Sequence, residues 1–450
     1  MSSGGPIALF GGTPVIAAGG TPRHRSWPEL DAGARAAVQR VLDRGVLSGA
    51  HAPEALALEA ELAHFVQARY ALLTHSGTSA LQLATSAAGI GEGDHVIMPA
   101  YSFVATPLAV VQAGAIPIFV DVDLETGMID AHAVRDALTT RTRAIMPVHI
   151  HGAAVDLQPL LSLARDSGLA LIEDAAQAHG ATWSGRPVGA IGHAGAFSLQ
   201  SSKNLGVGEG GVFVTNDAEI AERANRFRNF GQALRLSDRA DYDPLRPLDS
   251  ARGLESIELG GMYRGNELTA ALARAALAKL PALTARCQAN AERLCAALGC
   301  LQGVRPLVAP RASSSVHHKL RVGFDVAEAG IALAPRVFRS ALQAALRAEG
   351  VEAVLWQEDA LPAQRVFQQR KGFGRGFPWS ADPDSDFAAL YHPSRFPRTR
   401  ALLDSSIVLF SQSHPLIAQD AGLIDGYIEA FARVWEQREA VCRWAERRIH

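Results

Sequence analysis

Short hydrophobic runs of strand length alternate with helical patterns between residues 70 and 175. The strand-like runs are Tyr70 to Thr74, His95 to Met98, Ile116 to Val120, Arg143 to Val148 and Leu169 to Ile172. Helical patterns separate them, at Ala80 to Ala88, after Thr106, at Ala131 to Leu138 and at Leu157 to Ser167. Such repeated alternation predicts an α/β fold with a mainly parallel, doubly wound sheet.

Further helices are predicted on both sides of this region. Asp31 to Arg44 has a helical pattern that ends at Gly45, a residue suited to the left-handed conformation that closes a helix. Pro53 to Gln67 follows with apolar residues at mostly helical spacing. The Ala-rich run Glu267 to Leu280 continues as Leu283 to Leu298, and we expect these helices to connect the sheet to a second, smaller domain.

The C-terminal third predicts a small α+β layer. Leu320 to Phe324 and Val351 to Leu355 have strand patterns, Pro335 to Arg347 is an amphipathic helix, and a last helix spans Ala421 to Ala445. We therefore expect a large domain over residues 26–285 and a small one over 286–450. Residues 1–25, punctuated by Gly and Pro, predict an extended arm that lies across the body of the protein or a partner subunit, with solvated disorder as the alternative.

Composition narrows the class of protein. With 450 residues, 48% of them hydrophobic, the chain can bury a large core. A net charge of -2 and the lack of a basic run argue against a nucleic-acid partner. The four cysteines are too few for a disulfide framework, no Cys/His spacing predicts a metal site, and no signal-peptide or membrane pattern occurs, so we expect a cytoplasmic protein without membrane contacts.

The stretch Phe197 to Gly211 is the first candidate for chemistry. Lys203 lies in it among small, polar and glycine residues that allow other groups to approach closely. A lysine amine can form a Schiff base with a carbonyl once burial or nearby positive charge lowers its pKa. A solvated loop lysine is the alternative.

A second candidate follows the strand Leu169 to Ile172. Glu173, Asp174 and Gln177 come at its carboxyl end, where open α/β sheets place their ligands. A carboxylate that faces a pyridinium nitrogen, together with an imine-forming lysine, is the pair that a pyridoxal phosphate site requires. Alternatively, Asp174 is a helix cap and Lys203 a loop charge.

A third candidate is the turn Ser76-Gly77-Thr78-Ser79 between a strand and a helix. Unpaired amides at the start of a helix favour an anion, and the hydroxyls of Thr78 and Ser79 can add donors, so a phosphate ester fits there. Simple capping of the helix would also explain these residues.

Six blocks together resemble the DegT/StrS family of sugar aminotransferases, in order and spacing. The blocks are SGTSAL from Ser76, MPAYSFVATPLAV from Met98, GAIPIFVDVD from Gly114, PVHIHG from Pro147, IEDAAQAHGA from Ile172 and FSLQSSKNLGVGEGGV from Phe197. The resemblance is close over about residues 5–280 and looser beyond. It implies a pyridoxal-phosphate-dependent enzyme of the aspartate aminotransferase fold (fold type I), a three-layer α/β large domain with a smaller α+β domain.

The resemblance also implies roles for individual residues. Lys203 would hold the cofactor, Asp174 would pair with its ring nitrogen, and Gln177 with its ring hydroxyl. Phe103 would stack on the ring, although by itself it would be a core residue. The phosphate-binding residues would be Gly77, Thr78, Ser79 and Ser198.

The function implied is transamination, because some relatives that act as dehydratases have histidine where this chain has Lys203. We expect an amino-acid donor, glutamate or glutamine, a keto-sugar acceptor that is nucleotide-linked, and a homodimer with shared active sites. Alternatives are an acceptor of cyclitol or amino-shikimate type, a sugar dehydratase or lyase, and a regulatory or scaffold protein that keeps the fold.

Several segments depart from the family pattern or are less certain. Gly231 to Leu259 forms a charged insertion. Met262 stands where the family has an asparagine that reaches the neighbouring subunit's cofactor phosphate, and Arg264 or Asn266 could replace that contact. Gln368 to Arg400 is longer than usual and either shapes substrate choice or decorates the surface. Four residues of the small domain could face the substrate or lie at the surface: His317, His318, Lys319 and Trp356.

Overall fold

A seven-stranded sheet forms the centre of the computed structural model, which describes residues 5–49, 52–236 and 255–448. Its strands are β1 (Tyr70–Thr74), β2 (His95–Pro99), β3 (Ile116–Val120), β4 (Thr142–Ile145), β5 (Ala170–Asp174), β8 (Ala194–Ser198) and β9 (Gly211–Thr215). The spatial order is β1-β9-β8-β5-β4-β2-β3. Only β9 runs antiparallel to its neighbours, so the sheet is mainly parallel, as predicted.

The hairpin of β8 and β9 is what separates this sheet from a fully parallel one. Ser198 pairs with Gly211 at the end next to the connection, which residues 199–210 form. Lys203 lies in that connection. It is therefore placed at the carboxyl end of β8, next to the carboxyl end of β5, because β5 and β8 are parallel neighbours.

Helices cover the two faces of the sheet and extend into the C-terminal region. Their bounds are α1 (Ala32–Arg44), α2 (Pro53–Phe65), α3 (Gly77–Ala87), α4 (Ala105–Gln112), α5 (Ala131–Asp136), α6 (Gln158–Ser167), α7 (Ala218–Phe227), α8 (Glu267–Leu277), α9 (Leu280–Gly299), α10 (Pro335–Ala348), α11 (Arg365–Gln369), α12 (Phe387–Leu390), α13 (Pro397–Asp404), α14 (Ala421–Glu436) and α15 (Arg438–Glu446). The end of α1 is as predicted, with Gly45 in the left-handed region at φ 74°.

A second, antiparallel sheet forms the core of the C-terminal region. It consists of β10 (Val304–Pro306), β11 (Leu320–Phe324), β13 (Ser406–Leu409) and β12 (Ala353–Val354), in that spatial order. A separate small hairpin joins β6 (Thr182–Trp183) to β7 (Arg186–Pro187). The α+β layer is thus as predicted in kind, while the domain limits at residues 25 and 285 stay predictions.

Many predicted elements have somewhat different bounds in the structure; the predicted strand Arg143 to Val148, for example, becomes β4 (Thr142–Ile145). Three other changes alter the length or number of the elements more clearly. The predicted strand Val351 to Leu355 shortens to β12, two residues at a sheet edge. The predicted last helix is two helices, because the chain breaks at Gln437 between α14 and α15. The predicted helix Ala80 to Ala88 begins earlier, at Gly77, since Ser76 caps it.

The N-terminal segment packs on the rest of the chain. The carboxylate of Glu349, at the end of α10, accepts hydrogen bonds from the backbone N–H groups of Ala8 and Val15, at 2.7 and 3.0 Å. Ile7 is fully buried. Farther along, the Trp27 indole donates to the carbonyl of Lys203 at 2.9 Å. The described part of the arm therefore lies across the body of this chain.

Residues 365–404 close the β3 edge of the large sheet, where Tyr391 donates to the carbonyl of Pro117 at 2.5 Å. Behind it, His95 of β2 donates to the buried carboxylate of Asp382 at 2.9 Å. Of the predicted segment Gln368 to Arg400, four aromatic side chains are buried in the core while many other residues are exposed, the buried ones being Trp379, Phe387, Tyr391 and Phe396. The segment therefore does more than decorate the surface, and a part in substrate choice stays a prediction. Of the predicted insertion Gly231 to Leu259, residues 237–254 lie outside the described residues.

Within the described ranges, no single helix is long and apolar enough to cross a membrane. The consecutive helices α8 and α9 would pass such a test only as a pair, and they meet at an angle of 57°.

Candidate active site

A cavity of about 350 Å³ opens at the carboxyl ends of β5 and β8, beside the start of α3 and against the small sheet. The predicted site residues that line it are Gly77, Thr78, Phe103, Asp174, Gln177, Ser198 and Lys203. Residues from the small-sheet region complete the wall, namely His318, Lys319, Trp356 and Gln412. The topology therefore gathers in one place every predicted site residue except Ser79.

The start of α3 forms one end of the cavity. Ser76 caps the helix, and its hydroxyl accepts the backbone N–H of Ser79 at 3.1 Å. The hydroxyl of Ser79 in turn donates to the Ser76 carbonyl. Ser79 thus serves the cap, and its role in phosphate binding stays a prediction. The N–H groups of Gly77 and Thr78, as the first two of the helix, have no intrahelical acceptor and remain suited to an anion.

Gly77 lies directly against Ser198. A Cβ atom added at Gly77 would be 2.6 Å from the Cβ of Ser198, so only glycine fits. This close approach brings the helix start and the end of β8 together. The result is a compact group of backbone N–H and hydroxyl donors of the kind that holds a phosphate.

Lys203 faces the same cavity from the connection between β8 and β9. Burial lowers the pKa of its amine to about 8, although the carboxylate of Asp174 acts in the opposite direction. An amine with such a pKa is deprotonated often enough near neutral pH to act as a nucleophile or a base.

Asp174 is buried at the end of β5 and is held by neutral donors. Its carboxylate accepts the hydroxyl of Thr106 at 2.6 Å and the backbone N–H of Ala176 at 3.1 Å. Burial raises the pKa of this carboxyl above its ordinary value, against these hydrogen bonds and the charge of Lys203. A cationic N–H in the cavity would therefore be a favourable partner for Asp174.

Glu173, the neighbouring carboxylate, serves the structure instead. It is fully buried and accepts the N–H groups of Gly189, Ile191 and Gly192, each at 2.7 Å. The Nε2–H of His149 donates to it at 3.0 Å. Burial alone would raise its pKa, but these bonds hold the pKa of Glu173 below its usual value. Alternation along β5 thus sends one acid into the cavity and the other into the turn before β8.

Gln177 is fixed by the turn that follows β4. Its side-chain oxygen accepts the backbone N–H of His151 at 2.8 Å, and His151 has a left-handed conformation with φ 57°. Among the described residues the side-chain nitrogen of Gln177 has no acceptor. It can therefore donate to a ligand in the cavity.

Phe103 is 52% exposed although it is a large aromatic residue. The alternative that it belongs to the core is wrong, since its ring borders the cavity. An exposed ring at this place provides a flat apolar surface for a planar ligand.

The sequence did not single out Thr106, His149 or His151, which position Asp174, Glu173 and Gln177. Of these three, only Thr106, which follows β2, could have been predicted, because a buried carboxylate needs hydrogen-bond donors. His317, which the sequence did suggest, does not line the cavity, while the three other candidates of the small domain do.

The described residues fit pyridoxal phosphate on structural grounds. A lysine with a lowered pKa, a buried carboxylate without a cationic partner other than that lysine, an exposed aromatic ring and a phosphate-sized group of donors share one cavity. No three His, Cys, Asp or Glu side chains of the described residues approach closely enough to hold a metal ion.

The sequence matches the DegT/DnrJ/EryC1/StrS aminotransferase family over residues 28–395. The chain belongs to this family. It is a pyridoxal-phosphate-dependent aminotransferase of fold type I, as the resemblance implied.

Named relatives span several kinds of acceptor. The dTDP-3-amino-3,4,6-trideoxy-alpha-D-glucose transaminase of Streptomyces venezuelae is 39% identical over 288 residues, 63% of this chain and 70% of that protein. The L-glutamine:2-deoxy-scyllo-inosose aminotransferase of Streptomyces fradiae is 36% identical over 320 residues, 69% of this chain and 72% of that protein. The crystal structure of 3-amino-5-hydroxybenzoic acid synthase superposes with a TM-score of 0.77 at 29% identity, covering 92% of this chain and 98% of that one.

Met262 is the position at which the resemblance predicts a departure from the DegT/StrS pattern. Its side chain is 48% exposed. Arg264 donates to the side-chain oxygen of Asn229 at 2.7 Å, and the Asn266 side chain caps α8 by accepting the N–H of Thr269 at 2.9 Å. Neither lines the cavity within this chain. That Arg264 or Asn266 replaces the asparagine expected at Met262 stays a prediction, as does the homodimer in which that contact would occur.

Proposed function

We propose that this aminotransferase moves the amino group of glutamate or glutamine to the keto group of a nucleotide-linked sugar. The observation that carries the proposal is that Lys203 and Asp174 border one cavity together with the donors at the start of α3. The transaminase of Streptomyces venezuelae, whose name gives a dTDP-sugar, supports the acceptor class.

The residues that would hold the cofactor follow from the geometry. Gly77, Thr78 and Ser198 would bind the phosphate, and Phe103 would stack on the ring. Asp174 would accept the ring N–H, and Gln177 would donate to the ring hydroxyl. When bound, pyridoxal phosphate supplies the carbon that carries the amino group and a ring that takes up the electron pair released at the donor's Cα.

Lys203 performs the proton transfers in the proposed mechanism. Its amine, lowered in pKa by burial, removes the proton from the donor's Cα and later returns one to the carbon of the acceptor's keto group. The carboxylate of Asp174, held in place by the hydroxyl of Thr106, would stabilise a protonated ring nitrogen when the cofactor is bound.

A cyclitol or amino-shikimate-type ketone is the second candidate acceptor, and the size of the cavity favours it. About 350 Å³ lies at the lower end of the range for small-molecule sites and must hold both the cofactor and the acceptor ring. A nucleotide would have to extend beyond this cavity. The relative from Streptomyces fradiae acts on such a cyclitol by its name.

We also propose a homodimer. Phe230, Ile257, Leu259 and Met262 are exposed apolar residues of one region, and Leu259 is 91% exposed. A second copy of the chain would cover such a patch. The measurement is the molar mass in solution, with Leu259→Glu expected to shift it towards the monomer.

A screen of donors against acceptors tests the proposal. Purified protein with pyridoxal phosphate would be incubated with glutamate or glutamine and either a dTDP-linked keto-sugar or 2-deoxy-scyllo-inosose, and the products identified by mass. We expect an aminated sugar or cyclitol and the matching keto acid in equal amounts. A deoxygenated sugar without amine uptake would support the dehydratase alternative instead. Protein that binds no cofactor would support the scaffold alternative.

A further inference from the structure

Lys319 is a second buried lysine in the cavity, and the proposed cofactor contacts do not use it. Its side-chain amine donates to the carbonyl of Phe410 at 3.2 Å. An ammonium group has three N–H donors, so two are left for a ligand. Among the described residues, no carboxylate lies within ion-pair distance of Lys319. Glu352 is the acid whose charge acts on it, but that carboxylate is hydrogen-bonded to His414 at 3.0 Å.

His318 adds a second polar group without a partner. Its side chain is 3% exposed and borders the cavity, and Nδ1 has no hydrogen-bond partner among the described residues. Burial, followed by the charges of Lys203 and Lys319, holds the pKa of His318 well below its ordinary value. The ring is therefore neutral and can donate one hydrogen bond and accept another.

The backbone around these two residues is fixed relative to the cofactor residues. The backbone N–H of Val316 donates to the carbonyl of Gly152 at 2.8 Å, and the backbone N–H of Lys319 donates to the carbonyl of His151 at 3.3 Å. The side chain of Asn204, next to Lys203, donates to the Val316 carbonyl at 2.8 Å. A Cβ atom added at Gly152 would be 2.8 Å from the backbone nitrogen of His318, so this close approach requires glycine.

The charges of the cavity call for an anion at this wall. Lys203 and Lys319 both face it. Two acids line the cavity as well, but Asp174 is buried at the end of β5 and Glu209 is exposed to solvent. The phosphate of the cofactor belongs at Gly77, Thr78 and Ser198, on different elements. A buried ammonium without a charged partner is costly, and an anion bound beside Lys319 would remove that cost.

We propose that Lys319, assisted by His318, binds the carboxylate of the amino-acid donor. This inference rests on the proposed function, because the donor is the substrate that must carry a negative charge into the cavity. The rings of the proposed keto-sugar and cyclitol acceptors are neutral, and the charged part of a nucleotide-linked sugar would lie outside. An amino-shikimate-type acceptor would bring a carboxylate of its own, which is why the test separates the donor from the acceptor. An ammonium with two unused donors matches the two oxygens of a carboxylate.

The test isolates the donor from the acceptor. Wild type and Lys319→Met are loaded with pyridoxal phosphate and titrated with maleate, an unreactive dicarboxylate, while the cofactor absorbance is followed. Each is then mixed with glutamate alone in a single turnover. We expect Lys319→Met to bind maleate about 10- to 100-fold more weakly and to need a similarly higher glutamate concentration. Lys371→Met, at an exposed position, is the matched control and should behave as wild type.

Two further measurements decide between roles for Lys319. The cofactor absorbance and the melting temperature of Lys319→Met should show that the variant is folded and loaded. Lys319→Arg should recover part of the maleate affinity, because it keeps the charge. In the second half-reaction, which starts from the amino form of the enzyme, the acceptor concentration needed for half-saturation should be the same in Lys319→Met as in wild type.

The contradicting results are distinct from failure of the proposed function. Unchanged maleate and glutamate affinity in Lys319→Met would overturn the inference while leaving the aminotransferase assignment in place. Loss of cofactor binding, or a defect confined to the acceptor half-reaction, would also overturn it. If wild type converted no amino acid at all but still bound maleate through Lys319, the proposed donor would be wrong and the carboxylate site would stand.

Discussion

The cavity at β5 and β8 and the covered edge at β3 both bury charged residues, but they differ in how these are paired. At the edge, Asp382 accepts from His95 at 2.9 Å and from Ser385 at 2.6 Å, and Arg141 lies 3.2 Å away. In the cavity, Lys319 has one carbonyl for a partner and Nδ1 of His318 has none among the described residues.

The paired groups at the edge stabilise the fold, whereas the unpaired groups in the cavity are available to bind a ligand. Buried polar atoms are nearly always satisfied, so a cluster that is not satisfied by the chain indicates a ligand. Glu173 and Asp174 show the same contrast within one strand. Glu173 accepts four hydrogen bonds, from three backbone amides and His149, and its pKa is lowered, so it serves the structure. Asp174 has a raised pKa and faces the cavity, so it is available to a ligand.

Replacing Lys203 by alanine should produce the largest effect on the cavity side. Transamination should fall by about 10⁴-fold, because the group that moves the proton is removed. The melting temperature should change little, because the Lys203 amine faces the cavity and does not hold the fold together. Steady-state rates and thermal unfolding would be measured together. Residual activity within tenfold of wild type would contradict the assignment of Lys203.

Asp174→Asn should rank next. The change keeps the size of the side chain but removes the charge that faces the ring, and we expect the rate to fall by roughly a hundredfold or more. Thr106→Val, which removes only the hydroxyl that orients Asp174, should have a smaller effect in the same direction. Equal rates for Asp174→Asn and wild type would show that the acid does not act on the cofactor.

At the covered edge, Asp382→Ala should reduce stability rather than activity. Removal of one partner leaves His95 buried without its acceptor, which costs about 3 kcal/mol of unfolding free energy. The rate per folded molecule should equal that of wild type, as measured below the onset of unfolding. A loss of activity without a loss of stability would assign the edge a part in the reaction.

The pH dependence of stability distinguishes the two regions in cofactor-free protein. Burial lowers the pKa of Lys203 and Lys319 to about 8, compared with 10.5 for an ordinary lysine. Between about pH 8 and 9.5 the unfolded chain therefore binds more protons than the folded one, and stability rises with pH. The rise in melting temperature should be smaller in Lys319→Met and unchanged in Asp382→Ala. A profile that falls with pH in all three proteins would contradict this account.

Tyr391→Phe is expected to have the smallest effect. It removes the hydroxyl that donates to Pro117 and accepts the indole N–H of Trp379 at 2.9 Å. We expect a loss of about 1 to 2 kcal/mol in unfolding free energy by chemical denaturation, with no change in rate. A larger loss would show that residues 365–404 and the sheet unfold as one unit.

The sequence predicted the large sheet well because each strand there is a local pattern. Tyr70–Thr74 and Ile116–Val120 have the predicted bounds, and the predicted residues except Ser79 meet at the cavity. What the sequence could not show depends on contacts between distant segments. That Asp174 faces the cavity while Glu173 faces the turn at Gly189 to Gly192 follows from strand pairing, and the place of Asp382 beside His95 joins segments far apart in the chain.

The hydrogen bond from Trp27 to the Lys203 carbonyl has a mechanical consequence. The N-terminal segment is held by Glu349 near the small sheet, then reaches the lysine's own peptide group, and then enters α1. A force that separates the two sheets is therefore transmitted along this segment to the main chain of the residue that carries out the reaction. A fusion that pulls on the N-terminus should therefore disturb the packing of Ile7 and, through Trp27, the position of Lys203.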